Sequence, residues 1–158
     1  MAPTASTLHS LAASFLAAFT NLSTTDHISL RSSTCTHIFA PSSLRIPPKS
    51  NTQFAAHLTN NLIPILSHFP VTAKETHVNE VGRQVTIWAT GVPEFRSEVM
   101  DGEKKEWEYV GEYIFLLDVG EHGKIERIVE FLDSLSTERL RGLVERARRN
   151  AGVDERAW

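Results

Sequence analysis

Two glutamates lie in strand-like runs where every second side chain is otherwise apolar. Glu112 falls on the same strand face as Val110, Ile114 and Leu116. In the next run, Glu130 falls on the same face as Ile128 and Leu132. Burial among apolar neighbours raises the pKa of a carboxyl group by desolvation, and a protonated carboxyl can donate to a developing oxyanion. We therefore take Glu112 and Glu130 as candidate catalytic acids, bases or substrate-orienting groups.

A third candidate is His37, in a short segment that is β-branched and aromatic at its centre. Imidazole has the unperturbed pKa nearest neutrality, so it can accept and return a proton with little tuning. The structural alternative is a partly buried histidine that donates to a backbone carbonyl. For the two glutamates the equivalent alternative is a purely structural ion pair with an arginine, for which the sequence offers Arg31, Arg83 and Arg127.

Composition limits the remaining functions. The 158 residues are expected to form one domain, 1–158, and the net charge of -3 gives no basic footprint for nucleic acid. The only cysteine is Cys35, which excludes a disulfide framework and a cysteine zinc site. The sequence has no glycine-rich phosphate loop and no metal-ligand spacing, so we expect no cofactor and no metal.

Targeting signals are also weak. Residues 8–19 are apolar but amphipathic, and no positively charged segment precedes them, so they predict a helix and not a signal peptide. No run is long enough to span a membrane, and we expect a cytoplasmic protein. Residues 150–158, after the last apolar stripe, are expected to be a flexible tail.

The first half of the chain has helical periodicity. Apolar residues at three- and four-residue spacing predict a helix over 7–20, and Asp26 can cap a short second helix. A strand is predicted over 35–39. Residues 50–52 can cap a third helix running to about Phe69, which Pro64 should kink or divide.

The second half alternates with strand periodicity. Strands are predicted over 71–81 and 83–92, then a charged, exposed hairpin tip over 94–105, then a hairpin within 106–134. Ser136 can cap a last helix that Gly152 ends. This order predicts the α+β class: a cone-shaped, curved antiparallel sheet packed on N-terminal helices, with a C-terminal helix.

The first strand of the 106–134 hairpin is apolar on both faces. A strand of this kind must be covered on both faces, and a partner subunit is the simplest second cover. The two-sided pattern therefore predicts an oligomer, with these residues on one face: Trp107, Tyr109, Tyr113, Phe115 and Leu117.

The order of elements and several short motifs resemble the SnoaL-like branch of the nuclear-transport-factor-2-like superfamily. The likeness extends from Leu8 to Leu132 and is greatest to small fungal proteins of secondary-metabolite clusters, such as meroterpenoid-pathway isomerases and cyclases. The residues that carry it are Leu30-Arg31, Cys35, His37, Pro41, Pro47-Pro48, Glu112-Tyr113, Gly123-Lys124-Ile125, Ile128, Glu130-Phe131 and Asp133-Ser134. The charged segment 94–105 is longer than this family's pattern.

The resemblance implies a cone whose interior receives His37, Glu112 and Glu130. It implies an outer sheet face through which two subunits pair, carrying Trp88, Trp107, Tyr109 and Tyr113. Apolar walls would bind a small hydrophobic substrate, and the residues expected there are Phe15, Phe39, Leu58, Ile87, Ile128 and Leu132.

The implied function is a cofactor-free isomerase or cyclase in fungal secondary metabolism, acting on a polyketide or terpenoid intermediate by acid–base catalysis and substrate positioning. Three alternatives stay open. One is a dehydratase similar to scytalone dehydratase, which would require a histidine pair and tyrosines in the pocket. A second is a pericyclase that acts by shape. The third is a non-catalytic ligand-binding or dimerisation module.

Overall fold

The computed structural model describes residues 1–154 and 156. Its first two helices are α1, Ala5–Thr20, and α2, Thr24–Ser29, which confirms the helical prediction for both segments. Thr4 caps α1 and Ser23 caps α2, each through a side-chain oxygen that accepts a backbone N–H. Strand β1, Arg31–Ala40, follows and is longer at both ends than the predicted strand.

The predicted third helix is shorter than expected. Helix α3, Asn51–His57, begins with a capping box between Ser50 and Gln53 and continues as a π-helical turn over Leu58–Leu62. Proline lacks the N–H that a continuing helix needs and its ring clashes with the preceding turn, so the helix ends at Ile63, which still has helical φ and ψ. The residues beyond it form a short strand, β2, Leu66–His68.

The remaining strands confirm the alternating half of the chain. They are β3, Val71–Asn79; β4, Gln84–Gly91; β5, Glu94–Phe95; β6, Gly111–Val119; and β7, Ile125–Leu132. The main sheet has the order β1-β7-β6-β4-β3. Strand β1 runs parallel to β7 and the other neighbours are antiparallel.

The inner face of this sheet packs on α1 and α3. Alternate residues of the three central strands point inward, including Ile87, Phe115 and Ile128, and all three are buried in the main hydrophobic cluster with Phe15 of α1. Burial of this apolar face stabilises the fold, and each such side chain contributes about 1.5–3 kcal/mol.

One buried residue of this core is polar and has no partner. Both ring nitrogens of His27, in α2, lack a hydrogen bond within the described part of the chain, and its ring meets those of Phe19 and Phe54 edge-on. Burial first, and then the charges of Arg31 and His37, hold the pKa of His27 well below its usual value.

The charged segment 94–105 is not the exposed hairpin tip that was predicted. Strand β5 pairs with β2, and a 3₁₀ turn over Ser97–Val99 follows it. Phe95 and Val99 are buried in a second cluster together with Ile65 and Trp107, so the apolar residues of the segment anchor it to the body. Its charges remain on the solvent side.

The last helix, α4, covers Ser134–Asn150. Its cap is Asp133 and not the predicted Ser136, because the Asp133 side chain accepts the backbone N–H groups of Leu135 and Ser136. Gly152 follows the helix with φ of 73°, a left-handed conformation that favours glycine at a helix end. The predicted tail, 150–158, falls partly on residues 155, 157 and 158, which lie outside the described residues.

Three of the four aromatic residues expected on the outer sheet face lie inside. Trp107, Tyr109 and Tyr113 are each buried, while Trp88 alone is on the outer face. The first two do not belong to a strand, since β6 begins at Gly111 after a 3₁₀ turn over Lys104–Trp107. Within β6 the alternation is as predicted, but its aromatic side faces the core.

No helix within residues 1–154 is long and apolar enough to cross a membrane.

Candidate active site

A cavity lies inside the cone, between the sheet and the helices. Its volume is about 50 Å³, and its polar lining side chains among the described residues are His57, Tyr113 and Glu130. The other lining side chains are phenylalanine, leucine or valine, contributed by α1, α3, the π-helical turn, β1, β7 and α4. The cavity is therefore an apolar space into which a few polar groups converge, the usual composition of a small-molecule site.

Glu130 is the carboxyl group of this cavity. It points inward from β7 and is 6% exposed. Burial raises the pKa of Glu130 to about 8, while the nearby charge of Arg31 acts in the opposite direction. The carboxyl group is therefore largely protonated at neutral pH, which suits it to act as a general acid.

His37 is bonded on both ring nitrogens. Its Nε2 lies 2.8 Å from Oε2 of Glu130, and its Nδ1 lies 3.2 Å from Nη2 of Arg31. A guanidinium can only donate, so Nδ1 is the acceptor and the neutral ring carries its proton on Nε2. The Nε2–H group therefore donates to Oε2 of Glu130.

The environment of the His37 ring keeps it neutral and fixed. Phe39 and Phe54 stack on it, with ring centroids 4.6 and 4.8 Å away. Burial, followed by the charges of Arg31 and Lys49, holds the pKa of His37 well below its usual value. His37 is fully buried and is not among the residues that line the cavity. It lies behind Glu130.

Arg31 completes a buried row of three charged or polar side chains. It is the first residue of β1, and its guanidinium lies 3.9 Å from the ring centre of Phe54. Burial lowers the pKa of Arg31 to about 10, so it remains charged at neutral pH. The row Arg31–His37–Glu130 thus carries a positive charge at one end and a titratable carboxyl at the other.

The parallel pairing of β1 with β7 brings this row together. In their register His37 lies beside Ile128 and Phe39 beside Glu130. Because side chains alternate across a strand, His37 and Glu130 both point into the cone from neighbouring strands. The sheet topology therefore brings together His37 and Glu130, which are more than ninety positions apart in the sequence.

Glu112 is not part of the site, contrary to expectation. Its side chain is 51% exposed on the outer sheet face, 3.6 Å from Nζ of Lys74. Nε1 of Trp88 donates to its Oε2 at 2.9 Å. The physical reason is the alternation of side chains along β6. The rings of Tyr113 and Phe115 occupy its inner face, so Glu112 points to the outer face.

The predicted substrate walls divide into two groups. Phe39, Leu58 and Leu132 line the cavity as expected. The other three, Phe15, Ile87 and Ile128, are fully buried in the core and do not line it. Their strand and helix positions are inward, but α1 packs directly on the sheet there and leaves no space.

Two polar residues of the cavity were not expected in the site. His57 is buried at the end of α3, and Nδ2 of Asn61 donates to its Nδ1 at 3.1 Å. Tyr113 reaches the cavity from β6. The sequence signal for His57 was its helical spacing beside Phe54 and Leu58, which places it on the same inward face.

Helix α4 covers the mouth of the cavity. Its Leu140 and Val144 line the cavity, and its arginines bind backbone carbonyl oxygens on the surrounding rim. Arg141 donates to Leu44 at 2.7 Å, Arg148 donates to Asn60 at 2.8 Å, and Arg139 donates to Glu108. The helix is therefore attached to the turn after β1, to the π-helical turn and to the segment before β6.

Residues suited to hold a metal do not cluster in the described part of the chain. No group of three or more His, Cys, Asp or Glu side chains comes together there with the geometry of a metal site.

Comparison with known proteins gives similarities among solved structures. AusH from Aspergillus nidulans is 26% identical, over 84% of this chain and 87% of its own, with a TM-score of 0.69. PrhC from Penicillium brasilianum is 16% identical, over 94% of both chains, with a TM-score of 0.78. The BvnE pinacolase from Penicillium brevicompactum is 21% identical, over 92% and 93%, with a TM-score of 0.74.

No protein-family model and no curated protein sequence matches the chain. The structural similarities confirm the predicted α+β cone fold.

Proposed function

We propose that this chain, which has the cone fold of the SnoaL-like proteins in the nuclear-transport-factor-2-like superfamily, is a cofactor-free isomerase or cyclase. It acts by acid–base catalysis and substrate positioning on an oxygenated polyketide or terpenoid intermediate. The observation that carries the proposal is Glu130, a buried carboxyl with a pKa raised to about 8 on the wall of an apolar cavity. The similarity to AusH, PrhC and the BvnE pinacolase supports a role in fungal secondary metabolism.

The proton moves through one oxygen of Glu130. Because Oε2 accepts the Nε2–H of His37, the acidic proton is carried by Oε1. Its O–H bond breaks as a bond forms to an oxygen or double bond of the substrate. The resulting carboxylate then takes a proton from a carbon of the same substrate. No atom is gained or lost, so the step gives an isomer or a cyclised isomer without a cofactor.

Arg31 and His37 assist by stabilising the carboxylate that forms. The positive charge of Arg31 acts on Glu130 through the neutral imidazole between them, and it opposes the effect of burial on the Glu130 pKa. Without this charge the carboxyl would hold its proton more tightly. We therefore assign His37 and Arg31 positioning and electrostatic roles, and we assign proton transfer to Glu130.

The substrate must widen the cavity on binding. Its present volume of about 50 Å³ is well below the roughly 300 Å³ that is the lower end for small-molecule pockets. Helix α4 and the π-helical turn Leu58–Leu62 contribute wall residues from outside the main sheet, and we propose that they move. Closure afterwards would exclude water from the reacting groups.

A dehydratase is the second candidate function. The specific observation in its favour is that His57 and Tyr113 line the cavity together with Glu130. A histidine and a tyrosine near the acid are the groups that loss of water from an alcohol would use. In this case a hydroxyl of the substrate accepts the Glu130 proton and leaves as water, and the Glu130 carboxylate takes a proton from the neighbouring carbon as the double bond forms.

We also propose a homodimer that pairs through the outer sheet face, where Trp88 is the one residue retained from the predicted aromatic row. Phe131 is 48% and Leu116 is 40% exposed on this face, and Ile114 and Trp88 lie beside them. Apolar side chains on neighbouring strands form a continuous patch, and such patches are typical of protein interfaces.

Hydrogen–deuterium exchange of cyclohexanone in D₂O tests the acid–base proposal. Proton donation to the carbonyl and removal of an α-proton produce exchange that NMR measures directly. We expect the wild type to accelerate exchange and Glu130→Gln to lose this acceleration by about 100-fold or more. The matched control is Glu112→Gln, whose carboxyl is outside the site. Equal loss in both variants, or no acceleration by the wild type, would contradict the proposal.

A further inference from the structure

A second opening, here called the outer cleft, lies on the outside of the cone next to the cavity. Its volume is about 350 Å³, and its polar or charged lining residues in the described part of the chain are Lys49, Gln53, His57, Asn60, Asn61 and Arg156. Two of these side chains are cations, and no described carboxylate lines the cleft. In a chain with a net charge of -3, such a lining favours a negatively charged ligand.

Lys49 is a partly buried cation without a counter-ion. Within residues 1–154 and 156 its side chain forms no ion pair and no hydrogen bond, and its Nζ lies 5.7 Å from the ring centre of Phe39. Burial holds the pKa of Lys49 below its usual value. A desolvated ammonium without an anionic partner is unfavourable, and a bound anion would remove that cost.

Arg156 supplies the second positive charge of the outer cleft. Its side chain is exposed and has no ion pair within the described part of the chain. Its backbone N–H donates to Oδ1 of Asp154 at 3.0 Å, and Arg148 donates to the Asp154 carbonyl oxygen and, at 2.8 Å, to that of Asn60. The chain after α4 is therefore attached to the π-helical turn, which brings this charge to the cleft.

The π-helical turn Leu58–Leu62 separates the outer cleft from the cavity. Its two leucines line the cavity, whereas its two asparagines line the cleft. His57, the residue before the turn, lines both spaces. A π-helical turn departs from regular α-helical hydrogen bonding, and such turns are frequent at functional sites. The movement of this turn that widens the cavity would therefore also join the two spaces.

We propose that the outer cleft binds an anionic group of the substrate, a carboxylate or a phosphate, while the apolar body of the same molecule occupies the cavity. The substrate is thus an amphiphilic acid and not a neutral molecule. This inference rests on the proposed function, because it takes the cavity beside Glu130 as the substrate site. The Lys49 ammonium and the Arg156 guanidinium donate charge-assisted hydrogen bonds, which either anion accepts.

An anion held in the outer cleft would orient the molecule toward the acid. The ring of Phe39 lies beneath Nζ of Lys49 and also lines the cavity, and Phe39 is paired with Glu130 across β1 and β7. The charged end of the substrate therefore binds on the β1 side of the cavity wall. Fixing that end limits which atoms of the apolar body reach Glu130, and positioning of this kind lowers the barrier by reducing the entropy lost in the reaction.

Equilibrium dialysis at neutral pH with octanoate and with octanamide, a neutral molecule of the same length, tests the anion site. We expect the wild type to bind octanoate about tenfold more tightly than octanamide, the effect of one charged hydrogen bond. Lys49→Met keeps an apolar stem and removes the charge, so it should lose this preference and bind octanamide as the wild type does. The matched control is Lys105→Met, whose ammonium pairs with Glu103 on the surface, and it should keep the preference.

Acetate and octyl phosphate are the remaining probes. Acetate should bind at least about tenfold more weakly than octanoate, because it has no chain to bury in the cavity. The order of octanoate and octyl phosphate identifies the natural group. Tighter binding of octanoate supports a carboxylate of the substrate itself, and tighter binding of octyl phosphate supports a phosphorylated substrate.

Several outcomes overturn the proposal: no binding of octanoate, equal affinity for octanoate and octanamide in the wild type, an unchanged preference in Lys49→Met, or acetate that binds as tightly as octanoate. Thermal unfolding shows whether Lys49→Met is folded, and Arg156→Met, at an exposed position, is the second variant if it is not. A preference for octanoate without deuterium exchange of cyclohexanone would support the anion site and contradict the proposed function. Exchange without the preference would contradict the anion site alone.

Discussion

Nε2 of His37 lies 2.8 Å from Oε2 of Glu130, and Nδ1 on the other side of the same ring receives a hydrogen bond from Arg31. The imidazole therefore links a permanent positive charge to a carboxyl group and has no lone pair left for a substrate. A histidine held in this way adjusts the acidity and direction of its neighbour. We therefore propose that it does not serve as the base itself.

Replacement of Arg31 by methionine should raise the pKa of Glu130 above its present value of about 8, because the charge that favours the carboxylate is lost. If the protonated carboxyl is the active form, the wild-type rate falls as pH rises through about 8. In Arg31→Met this fall moves to higher pH. The pH profile of cyclohexanone exchange measures the shift.

Arg127→Met is the control for that experiment, since Arg127 pairs with Asp118 on the outside of the sheet. Its profile should match that of the wild type. Identical profiles for Arg31→Met and the wild type would contradict the electrostatic role of Arg31.

Stability should be greatest near pH 6.5. Glu130 has a folded pKa of about 8 against 4.5 for the ordinary group, so the folded state binds its proton more tightly and loses stability between these values as pH rises. His27 and His37 have folded pKa values well below 6.5, so they destabilise the fold as pH falls below 6.5. The two histidines outweigh the one carboxyl below that point, and the carboxyl outweighs the histidines above it.

Between pH 6.5 and 8 the net loss should be about 1 kcal/mol, because the carboxyl removes about 1.6 kcal/mol and the two histidines, still partly protonated in the unfolded state, return about 0.8 kcal/mol. Urea unfolding at a series of pH values measures it. Glu130→Gln has no carboxyl to titrate here, so its stability should not fall over this interval and should rise slightly as the histidines finish titrating. A fall of equal size in Glu130→Gln would show that another group is responsible.

Replacement of His27 by leucine should stabilise the fold. The substitution removes two buried nitrogens that have no hydrogen bond and keeps an apolar side chain against Phe19 and Phe54. We expect a gain of about 1–3 kcal/mol near neutral pH, the usual cost of an unsatisfied buried group. The gain should be larger at pH 5, where the unfolded histidine takes up a proton. Thermal and urea unfolding measure both, and a loss of stability at pH 7 would indicate that His27 has a partner in solution.

Phe131→Glu should convert the proposed dimer to a monomer. A carboxylate at this position would be buried without a partner in the centre of the outer apolar patch, at a cost of several kcal/mol. Analytical ultracentrifugation measures the state of association. The control is Val81→Glu, which introduces the same charge at an exposed turn residue away from this face. A wild type that sediments as a monomer, or a Phe131→Glu variant that still dimerises, would contradict the proposed dimer through the outer sheet face.

The alternation in β6 and β7 could be read from the sequence, and with it the fact that Glu112 and Glu130 stand out. The side that faces inward could not. The alternation defines two strand faces but does not say which one faces the core. The inner face is the one that carries Phe115, on which Phe15 of α1 packs. That choice depends on contacts between residues far apart in the chain, and it placed one glutamate in the cavity and the other in solvent.

The positions of residues outside regular strands were the hardest to predict from the sequence. Trp107 and Tyr109 were assigned to a strand by extending the β6 alternation past Gly111, although the chain turns there. The burial of Tyr109 beside Tyr113 was therefore not expected. The role of Arg31 was equally hidden, because its neighbour His37 is six residues away along a strand whose register shifts between them.

The arginines of α4 bind main-chain carbonyl oxygens at Leu44, Asn60 and Glu108. A carbonyl oxygen is present whatever side chain a position carries, so these attachments do not constrain the amino acids around the opening. Substitutions at those positions can therefore accumulate over evolution without detaching the helix. The side chains around the cavity can therefore change size and polarity while α4 stays in place over it.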